Sequence, residues 1–179
     1  MALTGCTEDY LPKPKGYNRI DLPGHKYQPL KEEHPYTFEY SAFAKILPDS
    51  SLLAKPHWMD IYYPQFKANV QITYMDLRDE SNFKMMEDAR KLTSKHQIKA
   101  SGITETLVGL PNGLTAAVAE LEGEVPSQFQ FFVSDSTRHF FRGALYFRTA
   151  TANDSLQPVI EYIKVDCMHM LNTLQFKGK

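Results

Sequence analysis

The stretch from Gln128 to Phe147 reads Q-F-Q-F-F-V-S-D-S-T-R-H-F-F-R-G-A-L-Y-F, and its reading decides the fold. Phe129, Phe131 and Val133 alternate with Gln128 and Gln130, the period-2 mark of a half-buried strand. Ser134, Asp135, Ser136 and Thr137 are small polar residues that bond their own backbone and so favour a turn. Arg138 to Phe147 then returns with aromatics on both faces. Two such runs around a short turn predict an antiparallel hairpin near the centre of a sheet.

Upstream, Gly123-Glu124-Val125-Pro126 turns the chain into this hairpin. Ahead of it, Asn112-Gly113 joins a strand beginning at Ile103 to a return strand, Leu114 to Leu121, rich in alanine. Residues 79–96 carry Met85, Met86, Ala89, Leu92 and His96 at helical spacing, with Asp79 or Ser81 as a cap. Before them, strands are expected over Tyr36 to Ile46, over Trp58 to Tyr63, and around Val70, Ile72 and Tyr74. After the hairpin, Leu156, Val159, Ile160, Ile163, Cys167, Met170, Leu171 and Leu174 form the apolar stripe of a closing helix over Ser155 to Leu174. Pro158 is tolerated in its first turn, where the amides have no internal partner. The order of elements predicts an α+β fold: a mostly antiparallel central sheet flanked by two main helices.

A chain of 179 residues with 42% hydrophobic and 23% charged residues is long enough for one domain with a proper core. That domain is expected over residues 36–177. A net charge of −1, with both signs interspersed, gives no footprint for nucleic acid. No apolar run approaches the ~18 residues of a spanning helix. Two cysteines, Cys6 and Cys167, exclude a disulfide framework and a multi-cysteine zinc site.

Cys6 follows Leu3-Thr4-Gly5 and precedes polar residues, the local pattern of a bacterial lipobox. Residues 1–6 are therefore read as the remnant of a trimmed signal peptide with a lipid-attachment cysteine. Several acyl chains on one cysteine suffice for stable anchoring. Residues 7–35, with Pro12, Pro14 and Pro23 among lysines and tyrosines, form either a tether or an arm wrapped on the body.

Catalytic signals are thin. Asp135, Ser136 and His139 supply the residue types of a hydrolase triad, but neighbours in a tight turn are poorly placed for the relay, and no glycine-flanked nucleophile elbow is present. Turn chemistry is the expected role. Cys167 lies on an apolar helical stripe, as inert buried cysteines do, and His169 points elsewhere. His25, His34, His57 and His96 lack ligand spacing, and phosphate-binding glycine loops are absent. No cofactor, metal or small-molecule ligand is expected; a hydrolase at Asp135, Ser136 and His139, or a lipid binder with an apolar pocket between sheet and helix, are the alternatives.

A resemblance adds to this reading. Its residues are Cys6, Pro12-Lys13-Pro14-Lys15-Gly16-Tyr17, Arg19-Ile20, Pro35-Tyr36-Thr37-Phe38-Glu39, and Lys95-His96-Gln97-Ile98-Lys99-Ala100. It continues through the hairpin, with Asp135-Ser136, His139-Phe140 and Gly143-Ala144-Leu145-Tyr146-Phe147, to Asp154-Ser155-Leu156-Gln157-Pro158. Together these resemble the gliding-motility lipoprotein GldD family of Bacteroidetes. The resemblance implies a non-enzymatic, lipid-anchored envelope protein, an accessory or assembly factor of gliding or type IX secretion machinery that acts on other envelope proteins. It would sit on the periplasmic side of the inner or outer membrane or, given acidic Thr7-Glu8-Asp9, at the cell surface. The order of elements is also similar to the PsbP-type α/β/α sandwich. Lys13, Lys15, Tyr17, Asp135, Ser136, Arg138, His139 and Arg142 are the family-motif residues expected to contact a partner.

Overall fold

The computed structural model describes residues 20–52, 54–78, 84, 87, 100–123, 125–147 and 153–178. Its frame is a seven-stranded antiparallel sheet in the order β4-β5-β6-β10-β9-β8-β7. The strands are β4 (Lys45–Pro48), β5 (Met59–Tyr63), β6 (Ala68–Asp76), β7 (Gly102–Gly109), β8 (Thr115–Glu122), β9 (Phe129–Ser134) and β10 (His139–Phe147). The Phe-rich hairpin is β9 and β10, and β10 is the middle strand, pairing β9 on one side and β6 on the other. The Asn112-Gly113 hairpin joins β7 to β8, with Gly113 at φ +83°, a conformation open to glycine at no steric cost.

The pleat sorts the side chains. Met59, Ile61, Val70, Ile72, Phe129, Phe131, Val133, Phe141 and Leu145 share one face and pack on the helix α1 (Asn153–Thr173). Val159, Ile160, Ile163, Cys167, Met170, Leu171 and Leu174 answer from the helix, so the stripe read from the sequence is the buried one. At the middle of this layer Gly143 stands opposite Phe131 in the β9–β10 register. A Cβ on Gly143 would fall inside the Phe131 ring, so the glycine is the floor on which that ring rests.

The other sheet face holds two smaller clusters. Met75 and Phe140 pack with Trp58, Leu77 and Phe132, while Ala119, Leu121 and Val125 pack with Ala100. Here the expectation of two main helices is corrected. Among the described residues one helix flanks the sheet, and these clusters are what the second face shows. The other expected helix falls on residues 79–96, which lie outside the described residues except for Lys84 and Glu87, both helical. Periodicity alone assigned that helix, and periodicity carries no information about what packs on what.

The expected long strand from Tyr36 to Ile46 is also corrected. The chain there divides into β2 (Tyr36–Thr37), β3 (Glu39–Ser41) and β4, because each piece has a different partner. β2 pairs β11 (Gln175–Phe176), β3 pairs β1 (Tyr27–Pro29), and β4 joins the main sheet through β5. The arm residues from 20 onward thus lie against the body, with Leu30 buried.

Gly143→Ala is expected to lower stability by about 1–3 kcal/mol, the usual cost of overpacking a filled core. Urea unfolding followed by circular dichroism measures it; an unchanged midpoint would show that Phe131 can step aside.

Candidate functional site

Two polar clusters gather the ionisable side chains that the sequence offers as chemistry. The first caps the β9–β10 turn. Asp135 Oδ1 accepts the backbone N–H of Thr137 (3.0 Å), Arg138 (2.8 Å) and His139 (2.8 Å), and Ser136 sits at φ +63° in the turn they close. Burial pushes the Asp135 carboxyl up, but the three amides and the nearby His139 outweigh it and hold the group below its ordinary value. The His139 ring, buried, turns the other way. Its Nδ1 lies 2.7 Å from the Tyr74 hydroxyl, and its face stacks on Phe176 at 4.6 Å. Burial first, and then the Asp76 charge, raise the Tyr74 hydroxyl to about 12.

The Ser–His–Asp relay is therefore not assembled: Asp135 meets His139 through the backbone amide, and the ring nitrogens face Tyr74 and the Gly178 carbonyl. Arg138 donates to the Gly178 carbonyl (2.9 Å) and leans on Asp76 (3.4 Å). Asp76 is also gripped by Arg78 at 2.6 Å, and that bond above all holds its carboxyl well below the usual carboxylate range. The corner thus ties the end of β6, the hairpin turn and the C-terminal residues together. Arg142 is on the opposite sheet face from Phe141 and donates to Gln130 Oε1 at 2.9 Å. Lys13, Lys15, Tyr17 and Cys6 lie outside the described residues.

The second cluster was not read from the sequence. Asp166, on α1, is 2% exposed. Tyr63 Oη donates to its Oδ2 (3.1 Å), and His25 Nδ1 lies 2.6 Å from its Oδ1. His25 stacks on Tyr162 at 4.4 Å, and two residues further along the arm Tyr27 stacks on His169 at 3.5 Å. His169 in turn lies 2.7 Å from Glu39 Oε2 on β3. Burial, followed by the Asp166 charge, raises the Tyr27 hydroxyl to about 12. The arm is clasped to α1 by a buried carboxylate, two histidines and stacked rings. A signal did exist: Asp166 continues the helical spacing of Val159, Ile163 and Met170, and a carboxylate on such a stripe requires partners. Cys167 beside it is buried, and burial and then the Asp166 charge push its thiol up, away from nucleophilic use.

Elsewhere, His34 and His57, far apart in sequence, meet with their Nδ1 atoms 3.1 Å apart. Among the described residues no group of three His, Cys, Asp or Glu could hold a metal ion. Between the sheet and the first half of α1 lies a cleft of about 820 Å³, whose lining includes Glu120, Glu122, Glu161, Lys164 and Gln128. Leu121, Pro158 and Ile160 line it beside these polar groups, so its wall is mixed. No helix among the described residues is long and apolar enough to cross a membrane.

Two substitutions test these readings. Asp135→Ala is expected to cost about 1–3 kcal/mol at neutral pH, because three turn amides lose their acceptor. A carboxyl with a depressed folded pKa contributes stability above its unfolded value, about 4, and loses it as pH falls through the folded value. The gap between wild type and variant, measured by urea unfolding, should therefore shrink on going from pH 7 to pH 3. Asp166→Ala should release the arm, seen as several-fold faster trypsin cleavage after Lys26 with the sheet core still folded; unchanged cleavage would show that the stacked rings hold it alone.

The family model described as gliding motility lipoprotein GldD matches residues 7–176. No curated protein matches the chain. Among solved structures the chain is similar to the solution structure of cyanobacterial PsbP (CyanoP) from Synechocystis sp. PCC 6803, at 9% identity and a TM-score of 0.42, over 88% of this chain and 98% of that one. The family match spans most of the sequence, arm and sheet alike, and the chain belongs to the gliding motility lipoprotein GldD family.

Proposed function

We propose that this lipoprotein is a non-enzymatic accessory or assembly factor of gliding-motility or type IX secretion-type machinery, working by contact with another envelope protein. The observation that carries the reading is the family match from residue 7 to residue 176. In this reading Cys6 bears the lipid, residues 7–35 connect the anchor to the body, and residues 36–177 are one globular unit that presents the binding surface. The contacts of Asp135 and His139 support a role in folding rather than in a reaction, since their polar atoms are held by the turn amides and by Tyr74. The clasp of His25 on Asp166 would pass a pull on the anchor directly into α1.

The test uses the full-length protein with its native signal. Metabolic palmitate labelling should mark the wild type and not Cys6→Ala, and crosslinking in intact cells should couple the wild type to envelope proteins. A wild type without label would remove the anchor from the reading, and one that crosslinks to nothing in the envelope would remove the accessory role.

A further inference from the structure

The two edges of the main sheet are built differently. β4 is four residues long and carries Lys45 and Pro48, the features that blunt an edge against further pairing. β7 is eight residues, Gly102–Gly109, with no proline and no lysine, and at about 3.4 Å per residue it offers an edge of about 27 Å. Among the described residues no strand lies on its outer side. Leu107 is 76% exposed and Ile103 40%, so these two apolar side chains face solvent while Val108 packs on the core.

The ladder phase shows which main-chain groups point outward. Leu110 N–H bonds the Leu114 carbonyl and Leu121 N–H bonds the Gln128 carbonyl, both at 2.8 Å. In an antiparallel ladder, bonded pairs alternate with non-bonded ones. With the β7–β8 and β8–β9 registers, β8 therefore reaches β7 through its even positions and β9 through its odd ones. Gly102, Thr104, Thr106 and Val108 are the bonded positions of β7. The N–H and C=O groups of Ile103 and Leu107 point away from the sheet.

The flanks of the edge have opposite character. On the α1 side, Thr104 borders the cleft in which, among the described residues, Glu120, Glu122 and Glu161 face one cation, Lys164. Lys164 is held by Glu120 at 2.6 Å and Glu161 at 3.1 Å, so among the described lining residues three carboxylates stand against one ammonium beside the strand. On the other side, Leu107 borders a cavity of about 440 Å³ lined mainly by apolar groups, Ala117, Ala119 and Phe132 among them, with Glu105 and Arg142 as its charged members. A strand added outside β7 would alternate its side chains between these two environments, since successive residues face opposite sides.

We propose that β7 is the docking edge for an extended segment of an envelope protein partner, added as an eighth strand, with basic residues toward the Glu120–Glu122–Glu161 cleft and apolar residues toward Ile103 and Leu107. Main-chain bonds to the outward groups of Ile103 and Leu107 supply the pairing, and the flanking charge and apolar row supply the choice of segment. A second copy of β7 fits this edge poorly. The register that sets Ile103 against Leu107 also sets Glu105 against Glu105, and like charges directly opposite one another oppose pairing. This assignment rests on the accessory reading above and names the surface that would carry it.

The test measures fluorescence anisotropy of a labelled peptide alternating lysine and valine on the full chain, beside a glutamate–valine peptide and a lysine–valine peptide interrupted by proline. Tight binding is expected of the lysine–valine peptide, with at least a tenfold loss for each of the other two. Leu107→Pro, which removes an outward N–H and no bond to β8, and the double variant Ile103→Lys, Leu107→Lys should each weaken that binding at least tenfold, with unchanged circular dichroism and thermal midpoint confirming the fold. Equal binding by wild type and both variants, or undiminished binding of the proline-interrupted peptide, would overturn the proposal, as would a dimer of the wild type that Leu107→Pro dissolves. Crosslinking in cells separates the two readings: if Leu107→Pro retains every wild-type envelope crosslink, the edge is wrong and the accessory role stands, whereas a wild type without crosslinks defeats the accessory role itself.

Discussion

The contact of the Phe131 ring with the bare backbone at Gly143 is the constraint on which this molecule depends. It sits where β9 meets the central strand β10, and the side-chain layer built around it is the surface that α1 covers. Phe141 stacks near Phe131 at 6.3 Å, and Phe129 lies beside it at 6.0 Å, so the ring is a node of the aromatic packing under the helix. Interiors are packed as densely as organic crystals, and one missing side chain at the centre of a sheet is how a ring of this size is admitted. The seven-stranded order follows from there, because β10 must keep β6 on its other side.

Polar groups do the joining that the apolar core cannot. The turn carboxylate of Asp135 organises the hairpin tip, Asp76 binds that tip to the end of β6 through Arg138, and Asp166 draws the arm onto α1. Each is a carboxylate with more than one polar partner, and for Asp166, the buried one, such partners are what make burial tolerable. Their directional bonds join segments that hydrophobic contact alone would leave free to slide. The residues most suggestive of catalysis in the sequence serve this joining, as the contacts of Asp135 and His139 make plain.

The two edges of the sheet differ, and the proposed docking of a partner strand rests on that difference. One edge is short and guarded, and the other is long and, among the described residues, has no strand beside it. The arm that leads toward the family's lipid-bearing end is fastened to α1, on the covered face of the same sheet. Anchoring and recognition would then belong to different parts of one rigid layer, so that attachment at the membrane need not compete with partner binding.

Much of this was legible in the residues. The alternation of Phe129, Phe131 and Val133, the Asn112-Gly113 turn and the stripe from Val159 to Leu174 each report a local periodicity, and a half-buried strand, a tight hairpin and an amphipathic helix all write theirs into consecutive residues. The division of Tyr36 to Ile46 into three short strands was not legible, because only their partners β11, β1 and β5 distinguish them. Nor was the meeting of His25 with Asp166, 141 residues apart, or of His34 with His57. By itself the sequence determined which residues would be strand, turn and closing helix, and, through Asp135 and its following amides, how the hairpin would turn. Tertiary structure alone decided the strand order, the place of the arm and the position of β7 at the sheet's edge, because such pairings depend on which surfaces meet in space and leave no period in the chain.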